Sequence, residues 1–206
     1  MDDINIRRAV FSDLPYFYEI CLKTGNDGKD ASAFFSDPYL IGHYYAAPYL
    51  AYRDGICFVA EYEYRPQGYI AAVPDTASFK QWMEEHWLPP LRKRYPRPFP
   101  PARSEKEKEI INHIHERKFP VDIAEQPWLT EYPAHLHIDL MPCLQGKGQG
   151  RILMDKLFNE LTQKGVSGLH LGVSSSNQGA IAFYKKMGFS VLEEHDWGLT
   201  LGKLCK

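Results

Sequence analysis

The spacing of apolar positions changes several times along the chain, and each change marks an element. Residues 4–10 alternate weakly and predict a first strand. Residues 13–23 then place Leu14, Phe17, Tyr18 and Cys21 at helical spacing, with Ser12 as the expected N-cap. Residues 39–52 read as a second, aromatic-rich helical segment, and residues 56–62 and 67–73 as a hairpin turning at Arg65, Pro66, Gln67 and Gly68. Beyond residue 133 the pattern is regular: strand 134–141, helix 149–164, strand 168–174, helix 177–187, and a hairpin of 189–196 with 198–204. A strand, a helix and a strand with a short return through Gly165 require a right-handed crossover and so a parallel pair. The expected fold class is α/β, with a mixed central sheet and helices on both faces.

Residues 75–133 interrupt that order as an insertion before the fourth strand. They contain the proline-rich run LPPLRKRYPRPFPP at 88–101 and a charged helical pattern near 104–118. Prolines supply no backbone donors to a sheet, so the run is expected to cross the surface as extended chain between two helices. Clasping an exposed sheet face is the structural role this suggests, and covering a substrate is the functional one.

Composition narrows the classes of function. With 206 residues, 44% of them hydrophobic, the chain can bury one full core, and residues 1–206 are expected to form a single domain carrying the 75–133 insertion. The formal net charge of -2 implies no broad basic surface, so nucleic acid is not an expected partner. The four cysteines form no CxxC pair, which suits reduced thiols. Neither a cationic-then-apolar leader nor a membrane-length apolar run is read, and a cytoplasmic protein is expected.

The stretch 140–151, LMPCLQGKGQGR, carries the most specific chemistry. A strand rich in apolar positions (Leu136, Ile138, Leu140) enters it, and Ile152, Leu153, Leu157, Phe158 and Leu161 follow at helical spacing. Gln145, Gly148 and Gly150 form the pattern QxxGxG. Glycines let backbone N–H groups approach a diphosphate closely, and the helix start adds unpaired donors and the positive end of its dipole. The spacing fits neither the GxGxxG of dinucleotide sites nor the GxxxxGK[ST] of P-loops.

This QxxGxG turn, with Leu140 and Pro142 before it, resembles the coenzyme A signature of the GCN5-related N-acetyltransferases (GNAT). A second segment in the right order, NQGAIAFYKKMGF at 177–189, is similar to that family's NxxAxxFYxxxGF. The N-terminal segments ICLKTGNDG (20–28), DPYLIG (37–42), CFVAE (57–61), GYIA (68–71) and WLPPL (87–91) further resemble the acetyltransferase-like domain of O-GlcNAcases and its free-standing bacterial relatives. The resemblance implies the GNAT fold, whose parallel strands splay apart to admit the pantetheine arm of acetyl-CoA. The backbone of Ile138 and Leu140 would bind that arm. N–H groups across Gln145, Gly146, Lys147, Gly148, Gln149 and Gly150, with Arg151 beside them, would hold the pyrophosphate, and an N–H near Leu140 would steady the thioester oxyanion.

It also implies transfer of acetyl to a primary amine, on a small molecule or a protein lysine, by direct attack. A non-catalytic acyl-CoA-binding or protein-interaction module is the alternative. Tyr184, within the second motif, is the candidate general acid for the departing thiolate. Its other reading is a buried core tyrosine. Asn177 reads as a helix cap that also touches coenzyme A. His135, His137 and Asp139 share one face of their strand, opposite Leu136, Ile138 and Leu140. A hydrogen-bonded polar row, a metal site and a proton-handling site are all open readings of it, no metal being needed by the family chemistry. On the functional reading Asp139 is the base and His137 a relay, and the O-GlcNAcase-like domains carry an aspartate where Asp139 falls. Asp27, Tyr39, Tyr44, Tyr45 and Glu61 read as acceptor-site residues or as core and surface, Arg92 to Arg94 as a solvated face by default or partners of a coenzyme A phosphate, and the terminal hairpin as a surface on which a homodimer can form.

Overall fold

The computed structural model describes residues 4–97, 102–117, 119–121 and 123–205. In chain order its elements are β1 (Ile4–Arg8), α1 (Leu14–Thr24), α2 (Leu40–Tyr45), α3 (Ala47–Ala51), β2 (Ile56–Tyr62), β3 (Arg65–Val73), α4 (Thr76–Trp82), α5 (Leu88–Arg94), α6 (Glu105–His115), β4 (Ala134–Leu140), α7 (Gln149–Gln163), β5 (Gly168–Ser174), α8 (Gln178–Lys186), β6 (Ser190–His195) and β7 (Gly198–Leu204). The strands form one seven-stranded sheet in the order β1-β2-β3-β4-β5-β7-β6, antiparallel except for the β4–β5 pair. Fold class and sheet agree with the sequence reading.

The inner strands bury both faces, which is why β2 and β3 are nearly continuous apolar runs. On one face Cys57, Val59, Tyr69, Ala71 and Val73 meet Phe17, Ile20 and Cys21 of α1 and residues of α2 and α3. On the other, Ile56, Ala60, Ile70, Ala72, Leu136 and Leu171 meet Leu153, Met154, Leu157 and Leu161 of α7, spaced to form one helical stripe.

The insertion joins the first of these faces. Phe79, Met83, Leu88, Leu91, Ile110, Ile111 and Ile114 extend its core, so the clasp is helical and well packed. Glu107, almost fully buried on α6, ties it down by accepting from the Ser36 N–H (2.6 Å) and the Arg103 N–H (2.5 Å).

Local chemistry corrects several boundaries. Pro89 and Pro90 do not lie in extended chain. A π-helical turn at Met83–Trp87 runs into α5, and the two prolines occupy its first turn, where a missing N–H costs little. Residues 98–101 of the proline-rich run lie outside the described residues. The 39–52 segment is two helices, because Pro48 cannot donate within one continuous helix and sits instead in the first turn of α3. The β2–β3 turn is Glu63-Tyr64, both at positive φ (52° and 62°), so Arg65 to Gly68 belong to β3. Ser12 lies in a short 3-10 turn, and Asp13 holds the N-cap position of α1.

Candidate active site

The parallel pair is joined only at its start. Ala134 is in register with Leu169 and His135 with His170, and beyond those positions β4 and β5 diverge. The Met141 N–H donates to the Gln67 carbonyl on the β3 side, 2.8 Å away. Backbone direction alternates along a strand, so Ile138 and Leu140 turn their N–H and C=O groups to the other edge, into the gap. The carbonyl of Leu140 there accepts from Gln145 Nε2 at 2.8 Å, which folds the glutamine back against the strand end.

A 3-10 turn at Pro142–Leu144 leads from this edge into the glycine loop. Gly146 and Gly148 have φ of 71° and 79°, a region costly for other residues, and nothing lies within 4 Å of where a Cβ would stand on either. Gly148 is the N-cap of α7. The first N–H groups of the helix, from Gln149 and Gly150, therefore have no partners within it and face this loop. Gly150 packs under Phe183, and its Cβ would stand 3.3 Å from that ring. Lys147 lies over the Tyr62 ring, and Arg151 is exposed beside Asp155. Space, donors and dipole direction all fit a diphosphate.

Asn177 Oδ1 accepts from the Ala180 N–H and caps α8, as expected. That helix carries Tyr184 inward. Its ring is buried against Phe183 and Phe189, and burial, with the Asp139 charge adding to it, holds the hydroxyl protonated well above its ordinary range. Asp139 is half-buried on β4 beside the gap, where desolvation lifts its carboxyl above the usual range and the hydrogen bond from Tyr69 pulls it back.

The polar row on β4 divides. His135 Nδ1 lies 2.8 Å from Thr76 Oγ1, and Nε2 2.8 Å from the Tyr49 hydroxyl. Thr76 donates its own hydrogen to the Pro133 carbonyl, so it accepts from His135 Nδ1–H, and Nε2 accepts from Tyr49. His135 is thus a neutral, satisfied core residue. His137 faces Tyr45 and Tyr49, and burial, aided by His170, lowers its pKa to about 4. Among the described residues no cluster of histidine, cysteine and carboxylate side chains is arranged to hold a metal ion.

The other candidates separate in the same way. Asp27, also at positive φ, accepts from Ser176 Oγ at 2.8 Å, so the loop after α1 meets the loop after β5 at the open end of the gap. Tyr45 borders His137, whereas Tyr44 stacks on His113 of the insertion and Tyr39 is exposed against Tyr18 and His43. Glu61 pairs with Arg7 at the β1–β2 edge, away from the gap. Arg92 and Arg94 pair with Glu84 and Asp37. Two neighbours of the gap escaped sequence reasoning: Tyr69, which reaches Asp139, and Trp197, which lies across Gly172 on β5. The strand alternation of Tyr69 was legible, but its register was not, and Trp197 sits in the turn between β6 and β7, where no periodicity marks it.

A seven-stranded sheet split at one parallel pair, with a glycine-lined helix start at the end of the split, defines an acyl-CoA-type transferase site. Residues 29–189 match the acetyltransferase (GNAT) family, and the chain belongs to it. The cosubstrate that goes with this membership is acetyl-CoA. The crystal structure of SsHAT is similar over 98% of both chains, with 30% identity and a TM-score of 0.85. PaiA N-acetyltransferase from Thermoplasma acidophilum, solved in complex with coenzyme A, shares the fold at 15% identity, covering 98% of this chain and 99% of its own, with a TM-score of 0.59. The ribosomal protein bS18-alanine N-acetyltransferase of Escherichia coli (strain K12) is 43% identical over 54 residues. That match spans 26% of this chain and 36% of the relative. Among the described residues no helix is long and apolar enough to cross a membrane.

Proposed function

We propose that the protein transfers acetyl from acetyl-CoA to a primary amine by direct attack. The observation that carries this reading is the divergence of β4 and β5 beyond His135 and His170, with the positive-φ glycines Gly146 and Gly148 and the start of α7 at the open end. In this reading the N–H groups of Gln145 to Gly150 and the start of α7 hold the pyrophosphate. Lys147 and Arg151 add positive charge, and the backbone of Ile138 and Leu140 pairs with the pantetheine arm like an added strand. Asn177 and Tyr184 close the opposite side.

Asp139 takes a proton from the acceptor ammonium, directly or through His137, which is neutral at pH 7 and so able to relay. The amine nitrogen bonds to the thioester carbon, an N–H near Leu140 steadies the oxyanion, and the C–S bond breaks. Tyr184 supplies the proton that the departing thiolate takes up, and its phenolate is reprotonated by the second proton that the acceptor nitrogen sheds as it becomes an amide. Residues 1–206 act as one unit, with the 75–133 clasp bracing α1 and α2 beneath the acceptor side. The likeness to SsHAT is in keeping with the resemblance to O-GlcNAcase-type acetyltransferase domains. The acceptor panel should include an alanine-terminated peptide, given the partial relative that is named for that activity, together with lysine peptides and small amines.

The test is calorimetric titration with acetyl-CoA followed by that panel, using wild-type protein and Asp139→Asn. Binding by both and turnover by the wild type alone supports the reading. Binding without turnover of any amine favours a non-catalytic acyl-CoA-binding module, and no binding overturns the cofactor assignment.

A further inference from the structure

Tyr69 is fully buried in the middle of β3, yet its hydroxyl lies 2.5 Å from Asp139 Oδ2 on the neighbouring strand. The two residues are register partners, Tyr69 opposite Asp139, so the contact is set by strand pairing rather than by a mobile loop. The Tyr69 ring is also fixed from the other side, stacked on Phe17 of α1 at 4.5 Å between centroids and 10° between planes. A tyrosine locked at both ring and backbone is a rigid donor. The carboxylate it meets is free to rotate about its last torsion unless something holds it.

From this geometry we infer that Tyr69 is the positioning residue for Asp139: it engages one carboxylate oxygen, fixes the plane of the group, and leaves the other oxygen to meet the acceptor amine at the gap. The inference rests on the reading of Asp139 as the base. Asp139 is only half-buried, in keeping with an oxygen that remains reachable.

The direction of the hydrogen bond follows from donor counting. A carboxylate has no hydrogen to give, so Tyr69 donates to Asp139. Burial, and then the Asp139 charge, keep Tyr69 protonated well above its ordinary range, so the donor stays in place. Facing Asp139 from the surrounding elements are Tyr69 on β3, Thr24 and Cys21 on α1, His137 on β4 and Tyr184 on α8.

The decisive variant is Tyr69→Phe, which keeps the stacked ring and removes one oxygen. Loss of a donor to the charged form disfavours that form. The Asp139 carboxyl carbon, followed by NMR and assigned with Asp139→Asn, should therefore titrate about one pH unit higher in Tyr69→Phe. With an amine found in the panel above, the acid limb of kcat/KM should move up by the same amount and kcat should fall about tenfold, while acetyl-CoA affinity stays unchanged. A purely structural role would lower the melting temperature and leave the titration where it was.

An unmoved Asp139 titration overturns the inference, even if activity falls. A moved titration with full activity in Asp139→Asn upholds the contact and sinks the base reading instead, so the two failures are distinguishable. Should Tyr69→Phe not fold, the wild-type protein gives a second readout. A downfield, slowly exchanging Tyr69 hydroxyl proton that disappears in Asp139→Asn supports the contact, and its absence from the wild type overturns it.

Discussion

The two ends of the β4–β5 pair are built from the same alternating sequence and do opposite things. At the closed end Ala134 and His135 pair with Leu169 and His170, and the polar side is filled: Tyr49 and Thr76 occupy both nitrogens of His135, and His170 donates to the Tyr132 carbonyl beneath Trp128. At the open end Asp139 lies on the same strand face beyond the last paired positions, with Gly172 and its covering Trp197 on the β5 side. Polar residues on one strand face thus serve as core where strand pairing continues, and where it stops the proposed function gives the same face its chemistry. The lesson is that residue type does not separate the two; the presence of a neighbouring strand does.

The comparison breaks most visibly at the loop that ends the open side. Gly148→Glu forces a left-handed φ on a non-glycine residue and puts a carboxylate where a diphosphate would sit, so calorimetry should find acetyl-CoA binding weakened by about a thousandfold or more. Asp139→Asn should lower kcat by ~10²- to 10⁴-fold at an unchanged acetyl-CoA dissociation constant, which separates chemistry from binding in steady-state and calorimetric measurements. Tyr184→Phe should cost about 10²-fold in kcat, with the loss concentrated on acceptors whose attack is fast and whose thiolate departure limits the rate.

The closed end should answer in stability instead. His135→Ala leaves a cavity and strands the Tyr49 hydroxyl, and chemical denaturation should find a loss of about 3 kcal/mol with kcat per folded molecule nearly intact. The smallest effect is on pH dependence. Burial lowers the His170 pKa to about 4, so the unfolded chain takes up its proton first as the pH falls. Stability is fully present above the ordinary histidine range and declines from about pH 6.5 down towards pH 4. Between pH 7 and 5.5 His170 alone should remove about 1 kcal/mol, with His137 acting in the same direction. His170→Leu should flatten that part of the melting-temperature profile.

Much of this arrangement was legible in the sequence, for reasons that differ between elements. The β4–α7–β5–α8 run could be read because its signals are local: a switch of apolar period, glycines at a helix start, and an asparagine cap. The placement of Asp139 on the same face as His135 also followed from alternation alone. What could not be read depends on partners distant in the chain. Whether His135 is satisfied is decided by Tyr49 and Thr76, 86 and 59 positions away in the sequence. The register Tyr69 to Asp139 spans the whole insertion, so no local pattern encodes it. Pro89 and Pro90 misled in another way. The prolines suggest extended chain, but a helix tolerates them in its first turn, and the π turn that places them there has no simple sequence signal.

The central claim is that the open end alone receives acetyl-CoA, and amide hydrogen exchange of the wild-type protein with and without saturating acetyl-CoA tests it most directly. The account predicts new protection over residues 138–151 and at the start of α8, with residues 134–136 and 169–171 exchanging as before. Protection confined to the closed end or to the 76–115 clasp, or no change across 138–151, would contradict it.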